Sequence, residues 1–455
     1  MKKIGIFTLV SFIVFFGLGS NLFAVGGQQS SAPGHVTISF WHSMTDNAGL
    51  AFDTYVREFN EGPGAAANIT VEAVFQGQYA DATARLRPLL MTGQVNALPD
   101  VMQIDATGIV DYLNTEFAYT VDDALQRDRN FNLNQYMEAP LRAWNYGGRQ
   151  LGIPVSASTT IMYYNKSILD AAGISAPPTT FDEIIEVSRH LPPVNVNNQT
   201  LTAFANQPNT PLLANWIGQI PGRGLGASYV VNERNGRDGD ATRLVADTEG
   251  TLLTFLRAWQ AMYNAGALLN VSASLSNLFL TQQTVFFTAS TASLTSLLDQ
   301  IDGRFELGAA YFPRINSASN FGATVSGSAL FMFNKRDQAR ADAAWEFVKF
   351  MTSPEIQARF SVATGYTPVN LASAQNRAYL DHIARFPQAE VGTNQLAITS
   401  PDMMGVIVGP SRNFYFEIEN QGASMLNDGR TPEETVTSMA RALNLLLDDF
   451  AEANR

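Results

Sequence analysis

Val36-Thr37-Ile38-Ser39-Phe40 alternates apolar and polar residues, the period of two that suits a half-buried strand. A helix follows, because Phe52, Tyr55, Val56 and Phe59 stand at i, i+3, i+4 and i+7, with Asp46 and Asn47 marking its start and Gly62-Pro63-Gly64 its end. Ile69 to Val74 alternates again, Ala80 to Leu90 reads as a second helix, and Pro99-Asp100-Val101-Met102-Gln103-Ile104 reads as a short buried strand. Strands and helices in alternation predict an α/β sheet with helices on its faces.

The same pattern continues downstream. Ile161-Met162-Tyr163-Tyr164 reads as a strand, and Thr180 with Glu183 makes a capping box after the breaker pair Pro177-Pro178. Ala344, Phe347, Val348 and Met351 form an apolar stripe, after which Ser353-Pro354 restarts a helix with proline in its first turn. Thr431-Pro432-Glu433-Glu434 opens the last helix, whose face of Val436, Met439, Ala440, Leu443, Leu447 and Phe450 must pack on something. No internal repeat of about 20 to 50 residues is present, which argues against a solenoid.

Composition bounds the function. A chain of 455 residues, 46% of them apolar, can bury a sizeable core, and this length suits two domains or one domain split by insertions. The net charge is -12, and loss of Lys2 and Lys3 takes it to -14. Such a surface repels phosphodiester backbones, so no nucleic-acid partner is expected. With no cysteine, disulfides, thiolate metal sites, a cysteine nucleophile and a lipid anchor on an N-terminal cysteine are all excluded. Lys2 and Lys3 precede the apolar stretch Ile4 to Leu18, and Leu22-Phe23-Ala24 offers a small residue for cleavage. Residues 1–24 are therefore expected to be a cleavable signal peptide and 25–35 a flexible N-terminus, which places the protein in the periplasm or outside the cell.

Motifs of common chemistries are missing. His35, His42, His190 and His382 form no ligand motif, and no G-x-S-x-G elbow or phosphate loop appears. Gly222-Arg223-Gly224-Leu225-Gly226 follows no convincing strand and opens no helix, so the dinucleotide reading fails on context. Residues 221 to 243 read as an exposed loop or hairpin, and Arg223, Arg234 and Arg237 within it as solvated rather than phosphate-gripping.

Four landmarks occur in one order: Phe40-Trp41-His42-Ser43-Met44 with a helix ending Arg57-Glu58-Phe59-Asn60; Gly152-Ile153-Pro154 followed by Tyr163-Tyr164-Asn165-Lys166; Ala344 to Ser353-Pro354-Glu355; and Thr364-Gly365-Tyr366-Thr367-Pro368. From about residue 36 to the C-terminus the chain thereby resembles the extracellular solute-binding proteins of the group containing the maltose-binding and glycerol-phosphate-binding proteins. The resemblance implies a periplasmic-binding-protein fold of the second type, two α/β lobes with a ligand cleft between them. Its crossovers would fall near Ala157, near Ser326 and after Tyr366, so that residues 36–157 and 327–366 make one lobe and 158–326 and 367–455 the other. It also implies the substrate-binding component of an ABC transporter, not an enzyme: a monomer without cofactor or metal that binds a small-molecule carbohydrate and hands it to the permease membrane subunits.

Sugars offer hydroxyls that need partners and C–H faces that stack on rings, so the site should mix carboxylates, serines and aromatics. At the positions that match the family, the ligand-binding candidates are Tyr79, Asp105, Ser158, Thr159, Ser290, Gly327 and Tyr366, with Trp41, Ser43 and Trp216 beside them. Each also has an ordinary reading: Asp105 caps the next helix, Tyr366 is a buried hinge tyrosine, and the tryptophans belong to the core. The glycerol-phosphate branch carries an arginine between two late glycines, where this chain reads Gly405-Val406-Ile407-Val408-Gly409, and Phe204-Ala205-Asn206-Gln207 stands where that branch has tryptophans. Isoleucine cannot bind phosphate, and Arg412 is the nearby substitute. A neutral saccharide is the leading expectation; a glycerol-phosphate-type ligand, a sensor or adhesion module and an exported glycan hydrolase are the alternatives.

Overall fold

In a computed structural model describing residues 34–113, 115–195, 197–208, 212–224 and 229–453, the opening alternation forms the strand Val36–His42 and the periodic stretch the helix Asp46–Glu61. The expected signal peptide, residues 25–33, and Leu225 and Gly226 of the glycine-rich run lie outside the described residues. The helix buries Phe52, Tyr55, Val56 and Phe59, the four residues that define its period. Phe40 meets Phe52 at 5.7 Å between ring centroids and Phe347 of the helix Gln338–Met351 at 5.1 Å, so the strand and two helices share one core. Ile69–Phe75 and Val101–Asp105 lie parallel to Val36–His42 on its two sides. Parallel neighbours need crossover connections, which the helices Asp46–Glu61 and Tyr79–Met91 supply.

One long strand joins the two halves of the sheet. Ile153–Asn165 runs antiparallel to Val325–Phe333 over Ile153 to Thr159, then antiparallel to Thr284–Ser290 over Thr160 to Tyr164. The sheet order is therefore Ile69–Phe75, Val36–His42, Val101–Asp105, Val325–Phe333, Ile153–Asn165, Thr284–Ser290, Thr202–Asn206, Leu268–Asn270. Sequence pattern catches only the far end of this crossing strand, Ile161 to Tyr164, because Ser156, Ser158, Thr159 and Thr160 interrupt the apolar run although all four are buried.

Each half is covered on both faces, which makes two α/β lobes. The first packs around Phe40, Phe52 and Phe347 on one face and Tyr112, Trp144 and Phe331 on the other. The second packs around Trp216, Phe255 and Trp259 on one face and Phe279, Phe287 and Leu297 on the other. Helix starts follow local chemistry. Thr431 and Glu434 form the reciprocal box, each accepting from the other's backbone N–H. At Phe181–Ser188, Thr180 accepts from the Glu183 N–H, but the Glu183 carboxylate reaches one residue further back, to the N–H and hydroxyl of Thr179. Among the described residues no helix is long and apolar enough to cross a membrane.

The segment expected to be an exposed loop is partly buried. A turn at Asn232–Gly236 buries Asn235, whose side chain accepts from the N–H groups of Val230 and Val231 and donates to Met404 O. Arg237, two residues further on, is 5% exposed rather than solvated.

A buried acid in the second lobe gives a stability prediction. Glu419 Oε1 accepts from the Leu212 and Leu213 N–H groups, both at 2.6 Å, at the start of the helix Leu213–Gly218, and burial raises its carboxyl well above the ordinary range. A raised folded pKa means that the native state holds its proton more tightly than the unfolded chain. Its contribution is complete below the ordinary carboxyl pKa and is lost as pH rises through the folded value. Glu419→Gln is expected to match the parent near pH 4 and to be the more stable of the two near pH 8, read by urea denaturation. The same stability difference at both pH values would remove this assignment.

Candidate ligand-binding site

The carboxyl ends of the first-lobe strands carry a chain of buried hydrogen bonds centred on Gln103. Its Oε1 accepts from Ser43 N–H at 3.0 Å, and its Nε2 donates to Ser328 Oγ at 2.7 Å and Tyr79 Oη at 3.1 Å. Ser328 Oγ lies 2.6 Å from Ser156 Oγ, so five chain segments are joined around one amide. Burial pushes the Tyr79 phenol upward, and the phenol of Tyr366 and the carboxylate of Asp105 are near enough to add to the effect. Asp105 accepts from the Thr107 N–H and hydroxyl, at 3.2 and 2.6 Å. Burial still holds its carboxyl above the usual range, with the Thr107 bonds opposing.

At Gly327 the two crossing strands leave no room for a side chain. Its φ of +110° lies outside the range L side chains adopt readily, and a Cβ there would stand 1.8 Å from Ser156 O. The ladder slips between Ser328 and Ala329 at the same point.

A cavity of about 540 Å³ opens beside this crossing. Asp105, Ile109, Trp144 and Gly327 line it from the first lobe, and Thr160, Asn215, Phe287, Thr288 and Ser290 from the second. The segment Met403 to Ile407, Arg237 and Tyr415 are also part of the wall. Thr288 Oγ1 is buried without a hydrogen-bond partner, while Asn215 Oδ1 already accepts from the Thr324 N–H and hydroxyl. Among the described residues no cluster of three or more His, Asp or Glu is arranged to hold a metal ion.

Of the candidates named from sequence, Asp105, Ser290 and Gly327 line the cavity. Ser290 also caps the following turn, accepting from Ala292 N–H. Tyr79 joins the Gln103 network, and Tyr366 stacks on Phe360 at 5.5 Å with 18° between ring planes. Ser43 donates its N–H to Gln103 and leaves its buried hydroxyl unpartnered. Trp41 packs on the cluster around Trp144 without lining the cavity.

Four placements differ from expectation. Trp216 is wholly buried in an aromatic nest, 4.6 Å from Phe312, and its Nε1–H is spent on Pro313 O. Arg412 is exposed and lies over the Phe416 ring, away from the cavity wall. Ser158 and Thr159 are inside the sheet, Thr159 Oγ1 accepting from Gln395 Nε2, and the neighbouring Thr160 lines the cavity in their place. Sequence reasoning passed over Gln103 and Thr288 as well as Thr160; a polar residue within an apolar strand was the available signal for Gln103.

Comparison with known proteins agrees with this geometry. The sequence matches the family described as bacterial extracellular solute-binding protein over residues 54–387. The chain belongs to that family. As a solute-binding protein it takes its place among binders rather than enzymes, and its fold is the type II periplasmic-binding-protein fold. The sn-glycerol-3-phosphate-binding periplasmic protein UgpB of Yersinia pseudotuberculosis is 22% identical over 432 residues, which span 92% of this solute-binding protein and 94% of the relative. UgpB from Mycobacterium tuberculosis, solved in complex with glycerophosphocholine, superposes with a TM-score of 0.70 at 21% identity, over 92% of this chain and all of that one. The sugar-binding protein MalE from Xanthomonas citri gives a TM-score of 0.72 at 18% identity, over 92% of this chain and 99% of that one.

Proposed function

We propose that this chain is the substrate-binding component of an ABC importer, capturing a sugar or sugar-like polyol between its lobes and delivering it to the membrane permease. The observation that carries this reading is the cavity of about 540 Å³ with walls from both lobes. A ligand seated there touches both and favours the closed arrangement through contacts that an open one lacks. Asp105, Thr160 and Ser290 offer partners for hydroxyls, and Trp144 offers a ring for C–H faces. Residues 36–157 with 327–366 and residues 158–326 with 367–455 are the proposed moving bodies, with Tyr79 and Tyr366 contributing from the cleft's edge. The relatives named for a glycerol phosphate and for sugars support a polyol-type ligand. Export by a cleaved leader and monomeric action belong to the same proposal.

Thermal-shift screening against sugars, polyols and their phosphates tests it. One or a few compounds should raise the Tm, be recovered chemically unchanged, and bind about tenfold or more weakly to Asp105→Ala or Tyr366→Ala. A panel without any shift, or turnover of a bound compound, would end this reading.

A further inference from the structure

The two lobes also meet away from the strands that cross between them. Val406 and Val408 pack in the second lobe's core around Trp216, whereas Ile407 between them is buried in the first lobe's cluster with Trp144 and Phe331. The turn Asn232–Gly236 holds this bridging stretch in place. Asn235 Nδ2 donates to Met404 O and Asn235 O accepts from the Ile407 N–H, both at 2.9 Å, and a Cβ on Gly236 would collide with Ile407 O. Turn and stretch thus form one arm of the second lobe. At its end Arg237 Nη1 donates to Ala143 O at 3.0 Å and Asn145 O at 3.4 Å, while the Arg237 carbonyl accepts from the Gly147 N–H at 2.7 Å. Nη2 ties the same guanidinium back to Gly405 O at 3.0 Å. All three first-lobe partners are backbone groups, so turning a side chain of that lobe cannot release them. Trp144, Arg237 and Ile407 line the cavity, and the arm is therefore part of its wall.

We propose that this arm is a latch: Arg237 and Ile407 hold the first lobe to the second directly, so that the closed arrangement is populated before any ligand enters and opening requires the arm to let go. The inference rests on the two moving bodies proposed above, and adds that closure is not left to ligand contacts alone. Charge-assisted bonds from the guanidinium favour the closed form, in which the carbonyls of Ala143 and Asn145 are shielded from water. Desolvation opposes them, pushing the Arg237 pKa down to about 10, and that cost is recovered when the arm returns to water. The balance of the two makes the latch reversible.

The sequence has no cysteine, so one dye can be placed on each lobe without background, at Met91→Cys and Leu445→Cys, both exposed. Single-molecule energy transfer on the purified, ligand-free protein should show a closed population. Arg237→Met should lower the closed-to-open ratio on the order of tenfold or more, with a larger radius of gyration in small-angle scattering. Arg237→Lys should recover part of the loss, and Ile407→Ala should shift the ratio in the same direction. Arg234→Met is the control, since Arg234 lies in the same turn but is exposed and paired with Asp238; it should change nothing. Two populations in the parent's ratio in both Arg237→Met and Ile407→Ala overturn the latch and leave the moving bodies standing. A parent that is wholly open without ligand overturns it too. One unchanging distance in the parent and every variant sinks the latch and the moving bodies together, while ligand capture is tested separately by the thermal-shift panel. Should Arg237→Met not fold, Ile407→Ala and the parent's own populations decide.

Discussion

Gly327→Ala is expected to destabilise the protein by about 4 kcal/mol or more, among the largest effects of any single methyl group in the molecule. The added carbon would sit 1.8 Å from Ser156 O, and that oxygen belongs to the backbone of the crossing strand rather than to a side chain that can turn away. Relief requires the two central strands to separate where the Gln103 bonds converge. Gly429→Ala is the control, because Gly429 has a φ of +70° and nothing within 4 Å of its missing Cβ. Backbone strain alone should cost about 1 kcal/mol there. Urea denaturation of both variants measures the difference, and equal losses would show that the close approach at Ser156 is easily relaxed.

Asp100→Ala is the second large effect, about 3 kcal/mol or more. The carboxylate is 1% exposed and accepts five contacts: Arg340 Nε at 2.7 Å and Nη2 at 2.5 Å, Ser39 N–H at 2.8 Å and hydroxyl at 3.1 Å, and Lys335 Nζ at 3.9 Å. It joins the first strand of the sheet to the loop before the third and to the helix Gln338–Met351. Removing it strands Lys335, whose side chain is 8% exposed, beside a partly screened Arg340 at 30%. Adding Arg340→Met to Asp100→Ala should recover part of the loss, since one unmatched cation goes with it. A loss below about 1 kcal/mol for Asp100→Ala would place the network among surface pairs of little weight.

Local pattern revealed the elements that bury one face. The four helical residues from Phe52 to Phe59 and the alternation from Val36 to Phe40 each carry their period within a few residues, and the structure buries them accordingly. The cavity wall is different in kind, because its neighbours are set by pairing across long sequence distances. Gln103 meets Ser328 across 225 residues, and no periodicity near either residue announces it. Arg237 misleads for the same reason: in a run of Gly, Asn and Asp it looks solvated, and only carbonyls from residues 143, 145 and 405 bury it. Trp216 shows the converse error, where an aromatic side chain suited to sugar stacking finds Phe312, Phe255 and Trp259 first.

The strand Val325–Phe333 occupies the middle of the sheet, yet it is made long after the neighbour it pairs with at Val101–Asp105. A growing chain therefore holds three finished strands of the first lobe with an open edge and no means to close it until residue 333 has emerged. Loop-closure entropy must be spent before that contact gives anything back, which slows maturation and keeps the nascent first lobe incomplete.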